Sequence, residues 1–187
     1  SRRVHDGPQW ARADLEVFDS LHFPKCDAVF CAVNARLFAK ALPRILDVEP
    51  KRIVVISSTS VFTKRDSTDE HERTSISELI DAEHSIIGAC EVAGVEWTIL
   101  RPTLIYKEGS DRNVSLIAQI IRRLRVMPLY GSACGLRQPV HAEDLAIGAI
   151  AAMRSQRAAN QAYCTTGAET LTYREICLLY TSDAADE

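Results

Sequence analysis

The chain has 187 residues, room for one domain with a real core, and its 22 basic residues stand against 25 acidic ones. A balance this close to neutral leaves no electrostatic footprint for nucleic acid or an anionic membrane surface. Hydrophobic residues make up 47% and aromatics only 6%, a bias toward α/β rather than all-β proteins, and no apolar run reaches the roughly 18 residues of a membrane span.

In chain order, residues 13–18 alternate as a strand near a sheet surface would. Residues 27–33 form a continuous apolar run, the pattern of a strand buried on both faces. Helical spacing follows over 37–46. Residues 52–57 are β-branched and polar-flanked, the strongest strand signal in the chain. A polar loop is expected over 63–73. Ser75 and Glu78 then form a capping box that opens a helix toward Ala93, with Gly94 as its left-handed cap. A strand over 96–100 closes at Arg101-Pro102. Residues 113–125 read as an amphipathic helix with Leu116, Ile117, Ile120, Ile121 and Leu124 inward. A short strand over 139–141, a helix over 142–154 and a strand over 161–165 complete the alternation. A second box, Thr172 with Glu175, promises one more helix. Strands alternating with helices argue for βαβ units and a parallel sheet.

Five cysteines precede residue 177: Cys26, Cys31, Cys90, Cys134 and Cys164. They form no CxxC and match no zinc spacing, so no metal site is expected and a reducing cytoplasm is the simplest compartment. Residues 177–187 match the in-frame translation of a transposase adapter used in sequencing libraries and are expected to be a non-native tail. Without its three acids the remaining residues balance at 22 basic and 22 acidic. The opening Ser1-Arg2-Arg3-Val4, without an initiator Met, is likewise expected to be the middle of a longer protein.

Four stretches, in order, resemble the extended or atypical short-chain dehydrogenase/reductases, the NAD(P)-dependent epimerase/dehydratase family. Residues 54–62 (VVISSTSVF) resemble its strand ending S-S-x-x-V-Y-G. Residues 97–106 (WTILRPTLIY) are similar to its "tilRp…vYG" strand, and residues 137–146 (RQPVHAEDLA) to its R-x-x-v-H-v-x-D-l-A element. Thr166-Gly167 and the second capping box resemble its closing motif. The resemblance implies a Rossmann-like, doubly wound parallel sheet, N-terminally truncated, with a small substrate-side lobe. Residues 1–112 would then be a partial NAD(P)-binding domain lacking its first β-α-β unit, and 113–176 elements of the lobe.

It also implies an NAD(P)-dependent oxidoreductase or epimerase acting on a nucleotide-sugar. Ser58, three residues before Val61, falls where the family's catalytic Ser/Thr bonds the reacting oxygen, at a strand's C-terminal edge. Asp14 and Leu15 fall beside the adenine, and Ala32 and Ser57 where backbone approaches the cofactor. Arg137 and Thr103 fall on the substrate side, Arg137 as a planar fork for the diphosphate. Arg2 and Arg3 sit where charge selects the cofactor and favour NADP, with NAD as runner-up. His141 and Asp144 are expected to shape a strand-helix corner. A homodimer along residues 77–93 is the family habit.

Two features depart from the family. No G-x-G-x-x-G or G-x-x-G-x-x-G occurs, so the phosphate cradle is expected before residue 1. No Y-x-x-x-K occurs either; counting back from Ala82-Glu83 puts Ser75 at the tyrosine position and Leu79 at the lysine position. Neither can tune or move a proton as a phenol beside an ammonium does. Lys64 is the best substitute from a loop, with His71 and Lys107 as others. A non-catalytic dinucleotide-binding protein of the same fold is therefore the alternative function.

Overall fold

The computed structural model describes residues 14–15, 23–107 and 134–176. Arg2, Arg3, the 113–125 helix and the 177–187 tail lie outside the described residues, as do residues 13 and 16–18 of the first expected strand. Leu15 forms a turn rather than part of a strand, and is anchored by packing against the core instead of by ladder pairing.

The chain then runs β1 (Ala28–Cys31), α1 (Ala35–Leu46), β2 (Arg52–Ile56), α2 (Ser60–Thr63), α3 (Glu70–Ala93) and β3 (Glu96–Pro102). After β4 (Ile105–Tyr106) come β5 (Leu136–Arg137), β6 (Val140–His141), α4 (Ala142–Arg154), a 3-10 turn (Gln156–Ala158), β7 (Gln161–Thr165) and β8 (Leu171–Thr172). Strands β1-β2-β3-β7 form one parallel sheet in that order. β4 pairs with β6 in parallel, and β5 with β8 antiparallel.

The sheet is apolar on both faces because helices cover both. Alternation divides the side chains of β2 and β3 between them. Ile53, Val55, Trp97 and Ile99 pack with Phe38, Leu42 and Ile86 under α1 and α3. Val54 and Leu100 point the other way, against Leu145, Ala149 and Ala152 of α4. β7, in the range expected to form the lobe, hydrogen-bonds along β3 in the main sheet.

One start signal is misplaced by the sequence reading. α3 begins inside the expected loop, because Asp69 accepts from the backbone N–H groups of His71 and Glu72 and acids Glu70 and Glu72 fill its first turn. Ser75 and Glu78 are drawn instead to Arg36 of α1, leaving no capping box there. The second box is as expected: Thr172 Oγ1 accepts from Glu175 N at 3.1 Å, and Glu175 accepts from Thr172 N at 2.7 Å. Gly94 ends α3 at φ 68°, where a side chain would be strained.

The other corner of the sheet depends on Arg52, which is 6% exposed. Its guanidinium pairs with Glu96 and donates to the carbonyls of Ala152, Met153 and Ser155, closing the C-terminal end of α4. Hydrogen bonds from Gln156 and Arg52 hold the Glu96 carboxyl below its ordinary value. Arg52→Met should therefore cost about 1.5–3 kcal/mol in denaturant unfolding, as for lost hydrogen bonds to a charged group. Because the folded pKa of Glu96 is depressed, its stabilisation is present above the carboxylate's ordinary value of 4.5 and lost as pH falls through the folded value. Arg52→Met should flatten that acid limb. A second prediction concerns Gly167, where an added Cβ would lie 1.7 Å from Pro139 O. Gly167→Ala should destabilise by about 1–3 kcal/mol, because backbone must move to make room; an unchanged unfolding midpoint would refute that close approach.

Candidate functional site

Parallel strands deliver their C-terminal ends to one edge of a sheet, where open α/β folds place their ligands. At that edge a cleft of about 390 Å³ lies between the β1–α1 turn, the β2–α2 turn and the start of α3. Ala32, Ser57 and Ser58, named from sequence in separate segments, all line it. Ser75 and Leu79 line it as well, from α3. A larger open groove of about 590 Å³ runs outside, along α1 and α3, and shares Asn34 and Arg36 with the cleft.

Hydroxyls dominate the polar lining. Ser58 Oγ donates to Ser60 Oγ at 2.9 Å and accepts from Ser60 N at 3.1 Å, a local turn that fixes its rotamer. Ser57 Oγ donates to the Glu83 carboxylate, which also receives Arg101 Nη2 at 2.6 Å. Thus the hydroxyl of Ser57 is committed, whereas that of Ser60 receives Ser58 and has its own proton to offer.

The cation of the cleft was missed by the sequence reading. It is Arg36, whose Nη1 lies 3.4 Å from Ser75 Oγ and pairs with Glu78. Asn34 caps α1 by accepting from Arg36 N at 2.9 Å, so the arginine sits in the first turn, at the cleft mouth. A signal was available: Asn34 ahead of an apolar periodicity marks a helix start. Its contact with α3 is a tertiary fact that no local pattern carries.

Other candidates lie elsewhere. Lys64 caps α2 and pairs with Glu72 at 2.5 Å. The Lys64 hydrogen bond in turn holds the Glu72 carboxyl below its ordinary value. His71 sits in the exposed first turn of α3, and Lys107 follows β4. Neither these three, nor Thr103, nor Arg137 is among the cleft's lining residues. Thr103 Oγ1 donates to Gln138 O, tying the end of β3 to the segment that carries Arg137. Arg137 is exposed on the β5–β8 ribbon, with Nη1 donating to Leu136 O at 2.8 Å. Asp14 is exposed beside the partly buried Leu15. Arg2 and Arg3 lie outside the described residues.

His141 caps α4, its Nδ1 accepting from Glu143 N at 3.3 Å, and meets Tyr106 edge-on at 5.2 Å. Asp144 lies in that helix's first turn. Burial pushes the thiols of Cys31 and Cys90 up to about 11, far from the reactive range. Among the described residues no helix is long and apolar enough to cross a membrane.

With this geometry in view, solved structures give the fold its relatives. UDP-glucose 4-epimerase of Thermotoga maritima, solved with UDP-glucose, superposes with a TM-score of 0.69 at 13% identity, over 85% of this chain and 61% of that one. MoeE5, solved with UDP-glucose and NAD, gives 0.75 at 17% identity, over 94% and 68%. A double mutant of DesIV, the dTDP-glucose 4,6-dehydratase of Streptomyces venezuelae, solved with NAD, gives 0.67 at 18%, over 85% and 57%. The chain thus spans about three fifths of the length of such proteins. No curated protein shows significant similarity to it. The sequence profile of the NAD dependent epimerase/dehydratase family matches residues 25–164, most of the described chain and every segment that lines the cleft. The chain belongs to the NAD dependent epimerase/dehydratase family.

Proposed function

We propose that the protein is an NAD(P)-dependent oxidoreductase or epimerase-like enzyme acting on a nucleotide-sugar. The observation that carries this reading is the cleft itself, where Ala32, Ser57 and Ser58 converge at the C-terminal edge of the sheet. A small residue, a row of hydroxyls and one fixed cation suit a ligand made of ribose hydroxyls and phosphate oxygens. A bound dinucleotide would supply hydride transfer; the chain supplies orientation and charge. Ala32 and the backbone of Ser57 flank that ligand, with Asp14 and Leu15 toward its adenine, and Ser58 or Ser60 directs a hydroxyl at the reacting oxygen. Arg137 takes the substrate diphosphate, with Thr103 securing the strand end beside it. Arg2 and Arg3 favour NADP, with NAD second. Lys64 is the weaker candidate for charge, because it lies outside the cleft lining. The homodimer along α3 and a cytoplasmic setting belong to the same reading.

A second function has its own support. Ser75 and Leu79 line the cleft from α3, where the resemblance expects a tyrosine and a lysine. A dinucleotide-binding protein that senses redox state needs neither. Incubation with NADP or NAD and a panel of UDP- and dTDP-hexoses separates the two. In the full-length protein, reduced-nicotinamide absorbance or an altered sugar supports the enzyme, binding without turnover supports the sensor, and no binding at all sinks both.

Two substitutions test the roles directly. Ser58→Ala should lower kcat by about 100-fold, the usual cost of one preorganised donor at a reacting oxygen. Turnover that survives unchanged would leave Ser58 as a turn former only. Arg137→Ala should weaken nucleotide-sugar binding by about 1.5 kcal/mol or more, as for hydrogen bonds to charged groups. Calorimetry showing equal affinity would remove Arg137 from the site.

A further inference from the structure

Glu83 is the one buried acid among the described residues, at 4% exposure, and it stands directly behind the cleft wall. An unpaired carboxylate there would cost several kcal/mol, so its partners are informative. Arg101 alone would neutralise it, through Nε at 3.1 Å and Nη2 at 2.6 Å. Glu83 nevertheless also receives the hydroxyl of Ser57, the first residue after β2.

That extra bond reaches the segment that carries Ser58. Ser57 N donates to Leu100 O at 2.7 Å, and Thr59 N to Pro102 O at 3.0 Å. Ser58 is therefore the single residue between two neighbours fastened to the end of β3. At the far end of the segment, the Arg101 guanidinium lies 4.9 Å from the centroid of the Phe62 ring. One ion pair thus touches both ends of residues 57–62.

We propose that Glu83 is a positioning residue: through Ser57 and Arg101 it fixes the 57–62 segment and so aims Ser58 into the cleft. The proposal rests on the reading of Ser58 as a ligand-contacting hydroxyl. It also gives the Ser57 hydroxyl a duty separate from any backbone contact with the cofactor, because its proton goes to Glu83.

Ser57→Ala is the informative variant, since it removes one bond and leaves the Glu83–Arg101 pair intact. It should lower kcat about tenfold while KM and the dinucleotide Kd stay within about twofold, the signature of lost transition-state alignment. Ser57→Thr, which restores the hydroxyl, should recover most of that loss. Hydrogen exchange gives a readout that needs no turnover. Amides of residues 58–62 should exchange about tenfold faster in Ser57→Ala, with those of β2 and β3 unchanged. Glu83→Gln should show the same local effect if it folds. A weakened dinucleotide Kd with normal kcat would overturn the proposal in favour of cofactor contact by Ser57. Unchanged exchange at 58–62 would overturn it outright, even if the wild-type protein turns over no nucleotide-sugar. Loss of wild-type turnover with the exchange effect present would instead count against the enzyme reading alone.

Discussion

The pairing of β2 with β3 is the constraint on which the rest of this structure depends. Arg52 stands opposite Glu96 at one end of the ladder, and Ile56 opposite Leu100 near the other. Each end carries an ion pair with one buried partner: Arg52 with Glu96, and Arg101 with Glu83. Slipping a strand by one residue would exchange the side chains packed on each covered face and separate the charges as well. Buried pairs add little net stability over apolar packing, but they penalise every arrangement that leaves a charge alone. Register is thus specified by the fit of particular side chains to each covered face in the middle and by charge at the rims.

The two pairs serve different ends of the sheet. Arg52 gathers the last carbonyls of α4 and locks that helix across β2, so the N-terminal edge is closed. Arg101 and Glu83 sit at the C-terminal edge, where the strands must stop hydrogen-bonding to each other and open a cleft. An edge that binds ligands cannot be sealed by packing, so its loops need another restraint. Charge held behind the wall supplies it without filling the space in front.

The elements legible in the sequence were those whose signal is local. Residues 52–57 read as a strand because a strand covered on both faces must be apolar throughout, and Gly94 marked the end of α3 because only a left-handed cap fits there. Ser58 and Ala32 were placed by resemblance, and both fall in the cleft. The start of α3 was missed because two sets of residues carry cap chemistry, Asp69 and Ser75, and a contact with Arg36 on another helix decides between them. Arg36 and Glu83 escaped for the same reason. Their partners lie 42 and 26 residues away in Glu78 and Ser57, beyond the reach of any periodicity.

The composition of the cleft lining limits what it can do. Its described residues are aliphatic side chains, serines, Asn34 and Arg36, with no histidine, carboxylate, lysine or phenol among them. A serine hydroxyl does not ionise near neutrality, and a guanidinium keeps its proton. The lining therefore presents donors and a fixed charge whose character does not change between acid and alkaline conditions near pH 7. Glu78 and Glu83 stand one step back, each neutralised by an arginine. Such a lining orients a ligand well and exchanges protons with it poorly. Any pH response of binding or turnover must then enter through the ligand, through water, or through groups on segments outside this wall.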